Sequence, residues 1–461
     1  MAVPPGAAPI DLDRLKRTTL ARPKRAPLPA DPVTADIESL THEGRGLARV
    51  EGKAVFIDGA LAGERVRFRY SRLQRHFDEG QVVEVLEASP QRVEPRCPHF
   101  GVCGGCSLQH QDPAAQIAMK QEILADVLRR LGGVEPGRWL PPLAAEPWGY
   151  RRKARLGVRY VAKKGKTLVG FRERGSGFLA DLSRCEVLHP DVGERIAAIA
   201  ALVDGLSIRD QVPQIEIAKG EGPTVLVFRV LTSPSAADLE ALHAFAAAYD
   251  LHLYLQEGGP ETIRSLPGQA VELAYTLPDF RVSIEFQPTD FTQVNLALNR
   301  LMVRQAVDLL APGPGDRVLD LFCGLGNFTL PLARRAGAVL GVEAEAGLVG
   351  RARRNADLNG ITNASFAVAD LYGTLDGAPW TRESFDLALL DPPRAGALQV
   401  VDRLPALGVR RLVYVSCFPT TLARDAARLV DGLGYRLVAA GAMDMFPHTA
   451  HVEAMALFES G

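Results

Sequence analysis

An excess charge of either sign is missing from this chain. Its 53 Lys and Arg meet 54 Asp and Glu, for a formal net charge of -1 at pH 7. Total charge therefore points to no partner, and only its distribution can. Long apolar runs are also missing. None approaches the ~18 residues of a membrane-spanning helix, so no membrane association is expected. The N-terminus lacks the apolar stretch of a secretory signal, and a cytoplasmic protein is expected. Thiols stay reduced in that compartment, so the six cysteines are expected to bind metal or do chemistry rather than form disulfides. A hydrophobic fraction of 47% and a charged fraction of 23% are ordinary for a soluble globular protein. A length of 461 residues implies two to four domains.

What is present is unevenly spread. Segment 151–174 holds ten Lys or Arg and one acid, Glu173, with Tyr150 and Tyr160 interleaved. Segment 64–76 carries five Arg, and the first 25 residues add Arg14, Lys16, Arg17, Arg22, Lys24 and Arg25. Such patches suit a phosphate backbone; the plainer reading is a solvated surface. Residues 1–30 are rich in Pro and Ala and lack periodicity, which predicts a disordered basic tail. Residues 31–90 show short alternating runs between glycine turns ("AVFIDG", "ERVRFRY", "QVVEVLE"), the pattern of a small oligonucleotide-binding β-barrel.

Next comes "CPHFGVCGGC", which places Cys97, Cys103 and Cys106 close together. A closed metal site usually takes four ligands, so three thiolates leave the set incomplete. A helix is predicted over "PAAQIAMKQEILADVLRRLGG", with an apolar stripe of Leu124, Val127, Leu128 and Leu131 and a stop at Gly132. Residues 91–290 read as a mixed α+β central domain, with helices over 191–204 and 235–249.

From 291 to 461 strand, loop and helix alternate, predicting an α/β domain built on a Rossmann-like, doubly wound sheet. "VLDLFCGLGNF" sets Gly324 and Gly326 just past a strand, where backbone amides can approach a ligand. Glu343 ends the next strand, placed to accept hydrogen bonds from ribose hydroxyls. The third glycine of the dinucleotide fingerprint is missing, which weakens the oxidoreductase alternative. Asp391 in "LLDPPRAG" ends a further strand, before a proline-stiffened loop. Cys417 in "VYVSCFPTTLARD" sits where a strand exits, with Thr420 or Thr421 expected to cap the next helix. Glu453 follows two histidines in "MFPHTAHVEAMALF". Cys323, inside the glycine motif, reads as a packed thiol.

These parts fit one reaction. The C5 of uracil is a poor nucleophile until a thiolate adds to C6 and makes an enolate. C5 can then attack a methyl sulfonium, and its proton must leave before the thiolate is expelled. The base must also leave its stack to reach the site.

"EGRGLAR" to "LAGERV", "DFTQVN", "DLFCGLGNFTLPLA", "DPPRAG", "SCFPTTLARD" and "MFPHTAHVE" resemble the RNA uracil-C5 methyltransferase family, most closely its 23S rRNA branch. The similarity covers nearly all of the chain after residue 30. It implies a TRAM barrel at the N-terminus and 23S rRNA as partner, with one chain acting as a monomer. It implies Cys417 as nucleophile and Glu453 as the base that removes the C5 proton, giving 5-methyluridine. Gln293, Phe322, Asn327, Glu343, Asp370 and Asp391 fall where the family contacts S-adenosylmethionine or the base. The branch carries a 4Fe-4S cluster on four cysteines, and "ADLSRCEVLHP" nominates Cys185 as the fourth beside Cys97, Cys103 and Cys106. Zinc on three Cys plus His99 or His189 is the runner-up. One departure stands out: the family places Asn after the nucleophile, where this chain has Phe418. A tRNA (uracil-C5)-methyltransferase and a non-catalytic RNA-binding assembly factor are the alternatives.

Overall fold

The computed structural model describes residues 27–461 except 374 and 376. Residues 1–26 of the expected tail, with all six of its basic residues, lie outside the described residues. Contacts divide the described chain into two compact units, one ending at Ser89 and one running from Pro90 to Gly461 together with His42–Gly44.

The first unit contains six strands, β1 (Val33–Asp36), β2 (Ser39–Leu40), β3 (Gly46–Val50), β4 (Lys53–Asp58), β5 (Arg65–Leu73) and β6 (Phe77–Glu87). They form one sheet in the order β1-β5-β6-β4-β3-β2. Alternation sets its core: Val55, Ile57, Val66 and Phe68 are fully buried, while the arginines between Val66 and Phe68 and on either side face outward. Gly80 is required opposite Phe68, because a Cβ there would stand 2.5 Å from the ring.

The second unit opens with the cysteine segment and α1 (Pro113–Gly132), followed by β7 (Arg138–Trp139). Asp112 caps α1 through its carboxylate, which accepts from the Ala114 and Ala115 amides. The helix stops at Gly133 rather than Gly132, because Gly133 takes the left-handed conformation that closes the helix (φ 64°). The buried face contains the expected Leu124 and Leu128, with Val127 packed against the same core, but adds polar residues and leaves out Leu131. Gln116, Ile117, Lys120, Leu124 and Leu128 are buried, whereas Leu131 is 61% exposed.

A second six-stranded sheet contains β8 (Lys153–Val161), β9 (Lys166–Gly170), β10 (Gln214–Lys219), β11 (Thr224–Arg229), β12 (His252–Gln256) and β13 (Arg264–Ser265). Their order is β13-β12-β11-β10-β8-β9. Helices α2 (Pro190–Gly193), α3 (Ile196–Gly205) and α4 (Ala236–Tyr249) accompany it. Ile196, Ile199 and Val203 share one core with Leu156, Ile215 and Phe228 of the sheet. A hairpin, β14 (Leu273–Leu277) with β15 (Val282–Phe286), leads through residues 287–295 to α5 (Leu296–Leu310).

The largest sheet carries β16 (Arg317–Leu321), β17 (Ala338–Glu343), β18 (Ala364–Val368), β19 (Leu387–Leu390), β20 (Arg411–Ser416), β21 (Tyr435–Met443) and β22 (Glu453–Ser460). Its order is β18-β17-β16-β19-β20-β22-β21-β7. Strands β16 to β20 pair in parallel, while β22 runs antiparallel to both neighbours. Helices α6 (Thr329–Ala333), α7 (Ala346–Leu358), α8 (Leu398–Val401) and α9 (Pro419–Ala427) complete it. The strands read as continuous apolar runs because both faces are covered. One core joins Val318, Leu389 and Val413 of this sheet to Val225, Val227 and Tyr254 of the previous one.

The arrangement is the doubly wound α/β fold expected from the sequence. It brings the ends of β16, β17, β19 and β20, and the start of antiparallel β22, to one edge. Ligands bind at the carboxyl ends of strands in such sheets.

Candidate active site and cysteine cavity

The glycine loop leaves β16 through backbone that only some residues tolerate. Phe322 takes φ 65°, Gly324 φ 53° and Gly326 φ 90°. The turn is braced from the neighbouring strand: Glu343 at the end of β17 accepts from the Gly324 amide at 3.2 Å through one oxygen and from the Ala344 and Glu345 amides through the other. Cys323 is buried against Gly341, and burial beside Asp320 and Glu343 pushes its thiol well up. It packs, as expected.

The other cofactor-site candidates are placed as follows. The Phe322 and Tyr372 rings face each other at 5.7 Å. Asp370 accepts from the Tyr372 amide at 2.9 Å, and the Tyr372 hydroxyl donates to the Gly396 carbonyl, which ties this turn to the "DPPRAG" loop. Gln293 is half-buried in the segment before α5. The Asn327 side chain is turned away into packing: it exchanges hydrogen bonds with Asn299 at 2.9 Å each way and accepts from the Tyr275 hydroxyl.

Two buried carboxylates that the sequence reading missed organise this edge. Asp320 is fully buried on β16 and accepts from the Thr329 hydroxyl at 2.5 Å, while its other oxygen has no partner among the described residues. Burial pushes its carboxyl up to about 8, with Thr329 opposing and the Asp391 and Glu343 charges adding. Asp425 on α9 accepts from the Tyr414 hydroxyl and the Ala397 amide at 2.7 Å each, and pairs with Arg424. Arg424 also donates to the Ala395 carbonyl. The loop carrying Asp391 and Arg394 is thus held from below. Gly396 is obligatory there, since a Cβ would stand 2.7 Å from the Asp425 carboxylate.

Cys417 follows the end of β20. Helix α9 starts at Pro419, directly after Phe418, so Thr420 and Thr421 lie inside its first turn and neither caps it. The Thr421 hydroxyl instead donates to the Phe418 carbonyl at 3.0 Å. Phe418 is 40% exposed, and the Arg394 guanidinium lies over its ring at 6.0 Å. Glu453 opens β22, buried, opposite Met443 of β21.

Electrostatics link these groups. Burial pushes the Cys417 thiol up to about 11; the Glu453 and Asp391 charges add, and Arg394 opposes. Burial likewise pushes Glu453 up to about 8, with Asp391 adding and Lys120 and Arg394 opposing. Asp391 rises to about 7 from burial alone. A thiol, two carboxyls raised by burial and an arginine therefore influence one another through their charges. Such a set can supply a nucleophile, exchange protons and stabilise a developing oxyanion.

A separate cavity of about 220 Å³ is lined by Cys97, Cys103, Cys106 and Cys185, together with Phe100, Phe171, Leu182 and Arg151. Among the described residues no set of three or more His, Cys, Asp or Glu converges as ligands of a single ion. The four thiols instead stand around the cavity wall. A backbone amide addresses one of the sulfurs: Gly105 donates to Cys103 at 3.4 Å. Burial pushes Cys103 up, Cys106 to about 12 and Cys185 to about 11. The lining carboxylate, Glu186, is paired with Arg96 and Arg184. Of the two histidine candidates, His99 lines the cavity but its Nε2 accepts from the Ser183 amide at 3.0 Å, while His189 caps α2.

Much of the basic run 151–174 is engaged by partners within the chain. Arg152 donates to the Gly220 carbonyl, Lys153 to the Pro288 carbonyl, Arg155 pairs with Glu216, and Lys164 and Lys166 pair with Asp181. Arg159 and Lys163 are exposed and have no side-chain partner among the described residues.

Residues 224–460 match the tRNA (Uracil-5-)-methyltransferase family, and residues 32–85 match the TRAM domain. The 23S rRNA (uracil(1939)-C(5))-methyltransferase RlmD of Methylococcus capsulatus is 54% identical over 95% of this chain and 99% of its own length. That of Nitrosococcus oceani is 56% identical over 95% of this chain and 98% of its own length. Among solved structures, the Pyrococcus abyssi tRNA (uracil-54, C5)-methyltransferase in complex with S-adenosyl-L-homocysteine superposes with a TM-score of 0.70. At 24% identity over 92% of this chain and 100% of that one, the likeness is one of fold. With a family match across its catalytic half and relatives above half identity over nearly its whole length, the chain belongs to the RNA (uracil-C5)-methyltransferase family.

Proposed function

We propose that this enzyme methylates C5 of a uracil in 23S rRNA, at the position equivalent to uracil 1939 named for its relatives. The observation that carries the reading is that neighbouring strands β16, β19, β20 and β22 bring the glycine loop, Asp391 with Arg394, Cys417 and Glu453 to one sheet edge. S-adenosylmethionine, when bound, supplies an electrophilic methyl group. Cys417 adds to C6, which makes C5 nucleophilic. After C5 has taken the methyl, Glu453 accepts its proton and the thiolate is expelled, leaving 5-methyluridine. The positive charge of Arg394 favours the thiolate form of the nucleophile, against the burial and the carboxylate charges that raise its pKa. Burial raises the Cys417 thiol above its ordinary pKa in the free site, and in this reading seating of the base assists its ionisation.

The same proposal assigns the glycine loop, Gln293, Glu343, Asp370 and the Phe322–Tyr372 pair to S-adenosylmethionine. Asn327 would act there through its backbone, since its side chain is engaged with Asn299 and Tyr275. The four-thiol cavity is assigned to a 4Fe-4S cluster. The donor set fits: four thiolates around a roomy, mostly apolar space, with an amide aimed at sulfur, suit a cluster better than one ion drawing its ligands to a point. In this reading Cys97, Cys103, Cys106 and Cys185 hold the cluster, which braces the RNA-facing region. No helix among the described residues is long and apolar enough to cross a membrane. Cytoplasmic work on RNA as a monomer is a further part of the proposal.

The test uses 23S rRNA lacking the modification and tritiated methyl donor. Methyl incorporation by the wild type, its loss in Cys417→Ala, and a covalent protein–RNA band in Glu453→Gln support the reading. Unchanged RNA affinity without any methyl incorporation would favour a non-catalytic assembly factor, and preferential methylation of tRNA would favour the tRNA enzyme.

A further inference from the structure

Lys120 lies on α1, far in sequence from the motifs that carry the chemistry, yet its side chain is fully buried. A buried lysine is costly unless its charge is matched. Its Nζ donates to the Asp444 carboxylate at 2.6 Å and to the Phe446 carbonyl at 3.1 Å. Asp444 directly follows Met443, the cross-strand partner of Glu453. The Lys120 hydrogen bonds therefore hold one limb of the turn whose other limb begins with Glu453.

Neighbours on α1 complete the grip. Gln121 accepts from the Ala442 amide at 2.7 Å. Gln116 accepts from the His448 amide at 2.8 Å and meets His448 Nδ1 at 3.2 Å. His448 is buried with φ 66°, a conformation a non-glycine residue keeps only when its surroundings hold it there. Its ring stacks on Trp148 at 3.9 Å. One face of α1 thus fixes the segment 442–448, and nothing in the reaction chemistry itself requires that face.

We propose that Lys120 is a positioning residue for Glu453: it fixes the turn that brings Glu453 into the site and sets a compensated positive charge behind that carboxylate. The charged and titratable groups that act on Glu453 are Lys120 on α1, Asp391 and Arg394 after β19, and Cys417 after β20, with Asp444 as the partner of Lys120. Lys120 and Arg394 favour the ionised carboxylate, whereas Asp391 opposes it. This inference rests on Glu453 being the base that takes the C5 proton.

The experiment measures, in a single turnover against pH, the release of free 5-methyluridine RNA from the methylated covalent adduct, the step that needs Glu453, for four proteins: wild type, Glu453→Gln, Lys120→Met and Asp444→Asn. Only the ionised carboxylate accepts a proton, so the wild-type rate should rise with pH and level off above the Glu453 pKa. Lys120→Met removes the favouring charge and leaves Asp444 unmatched. Its acid limb should move up by about one pH unit, with an about tenfold slower rate at pH 7. Asp444→Asn leaves the lysine charge less matched, and its limb should move down. Affinity for the methyl donor should be unchanged in both. Limbs that stay in place, or that move in the same direction in the two variants, would overturn the proposal and leave Lys120 a purely structural residue. If Lys120→Met does not fold, Asp444→Asn alone decides by the direction of its shift. A wild-type acid limb that persists in Glu453→Gln would instead refute the role of Glu453, a distinguishable failure.

Discussion

The chain has two places where cysteines meet other chemistry, and burial does the same thing in both. It pushes Cys106 to about 12 and Cys185 to about 11 in the cavity, and Cys417 to about 11 at the sheet edge. The neighbours differ. In the cavity the sulfurs face one another and a backbone amide, and the lining carboxylate is paired with two arginines. At the sheet edge the sulfur feels the charges of Glu453 and Asp391, neither paired to a cation at bonding distance among the described residues, with Arg394 opposing. In the proposed reading, the first environment would give up protons to a cluster, and the second would keep its proton until a substrate changes the balance. A raised thiol pKa does not by itself tell a ligand from a nucleophile; the company of the sulfur does.

Removing one sulfur from each place tests that difference most strongly. Cys417→Ala should lower methyl transfer by about 10⁴-fold or more, as loss of a covalent nucleophile does. Its melting temperature should stay close to that of the wild type. Cys185→Ala should give the converse pattern. Anaerobically purified wild-type protein should be brown, and the variant should lose that absorbance and melt several degrees lower, because metal binding is folding free energy. Transfer would fall with folded fraction, since the Ser107 and Leu108 amides, next to Cys106, donate to the His448 carbonyl in the segment leading to Glu453. A Cys185→Ala protein that keeps both colour and melting temperature would break the comparison.

Alkylation sharpens it. Iodoacetamide reacts with thiolate, so the labelling rate of Cys417 in RNA-free enzyme should climb about tenfold per pH unit from about 7 upward until the thiol ionises. The sign follows from the raised pKa, about 11: the thiol is almost wholly protonated near neutrality. Adding unmodified rRNA should protect it. Fast labelling at neutral pH without RNA would mean that Arg394 outweighs the carboxylates, and the proton would not await substrate.

The same contrast explains what the sequence can show. Strands β16 to β20 are legible because buried parallel strands are continuous apolar runs closed by glycine or proline turns, as in "VLDLFCG" and "LALLDPP". Cys417, Glu453 and the four cavity cysteines carry motif signals. Lys120, Gln116 and Asp425 do not, because each is a polar residue on a mostly apolar helix face and reads as a break in the stripe. Lys120 meets a partner 324 residues away, a separation no local pattern reveals. Leu131 misleads in another way: by helical spacing it shares the face of Lys120 and Leu124, yet it stands in the last turn of α1 and is exposed there. Asp320 lies in plain view in the glycine motif but looks like an ordinary strand residue.

The basic run 151–174 gives the smallest effect and the finest discrimination. The sequence presents its ten cations as equivalents, yet the fold divides them. Lys153 and Arg155 hold the segment before α5 and the Glu216 carboxylate, so replacing either changes the protein as well as its grip on RNA. Arg159 and Lys163 are exposed without partners among the described residues, so they report RNA binding alone. Arg159→Ala with Lys163→Ala should leave melting unchanged and weaken rRNA binding a few-fold at moderate salt. It should also make the slope of log affinity against log salt shallower by about 0.7–0.9 for each phosphate that is no longer neutralised. An unchanged slope would mean that this hairpin faces solvent in the complex and that the RNA is gripped elsewhere.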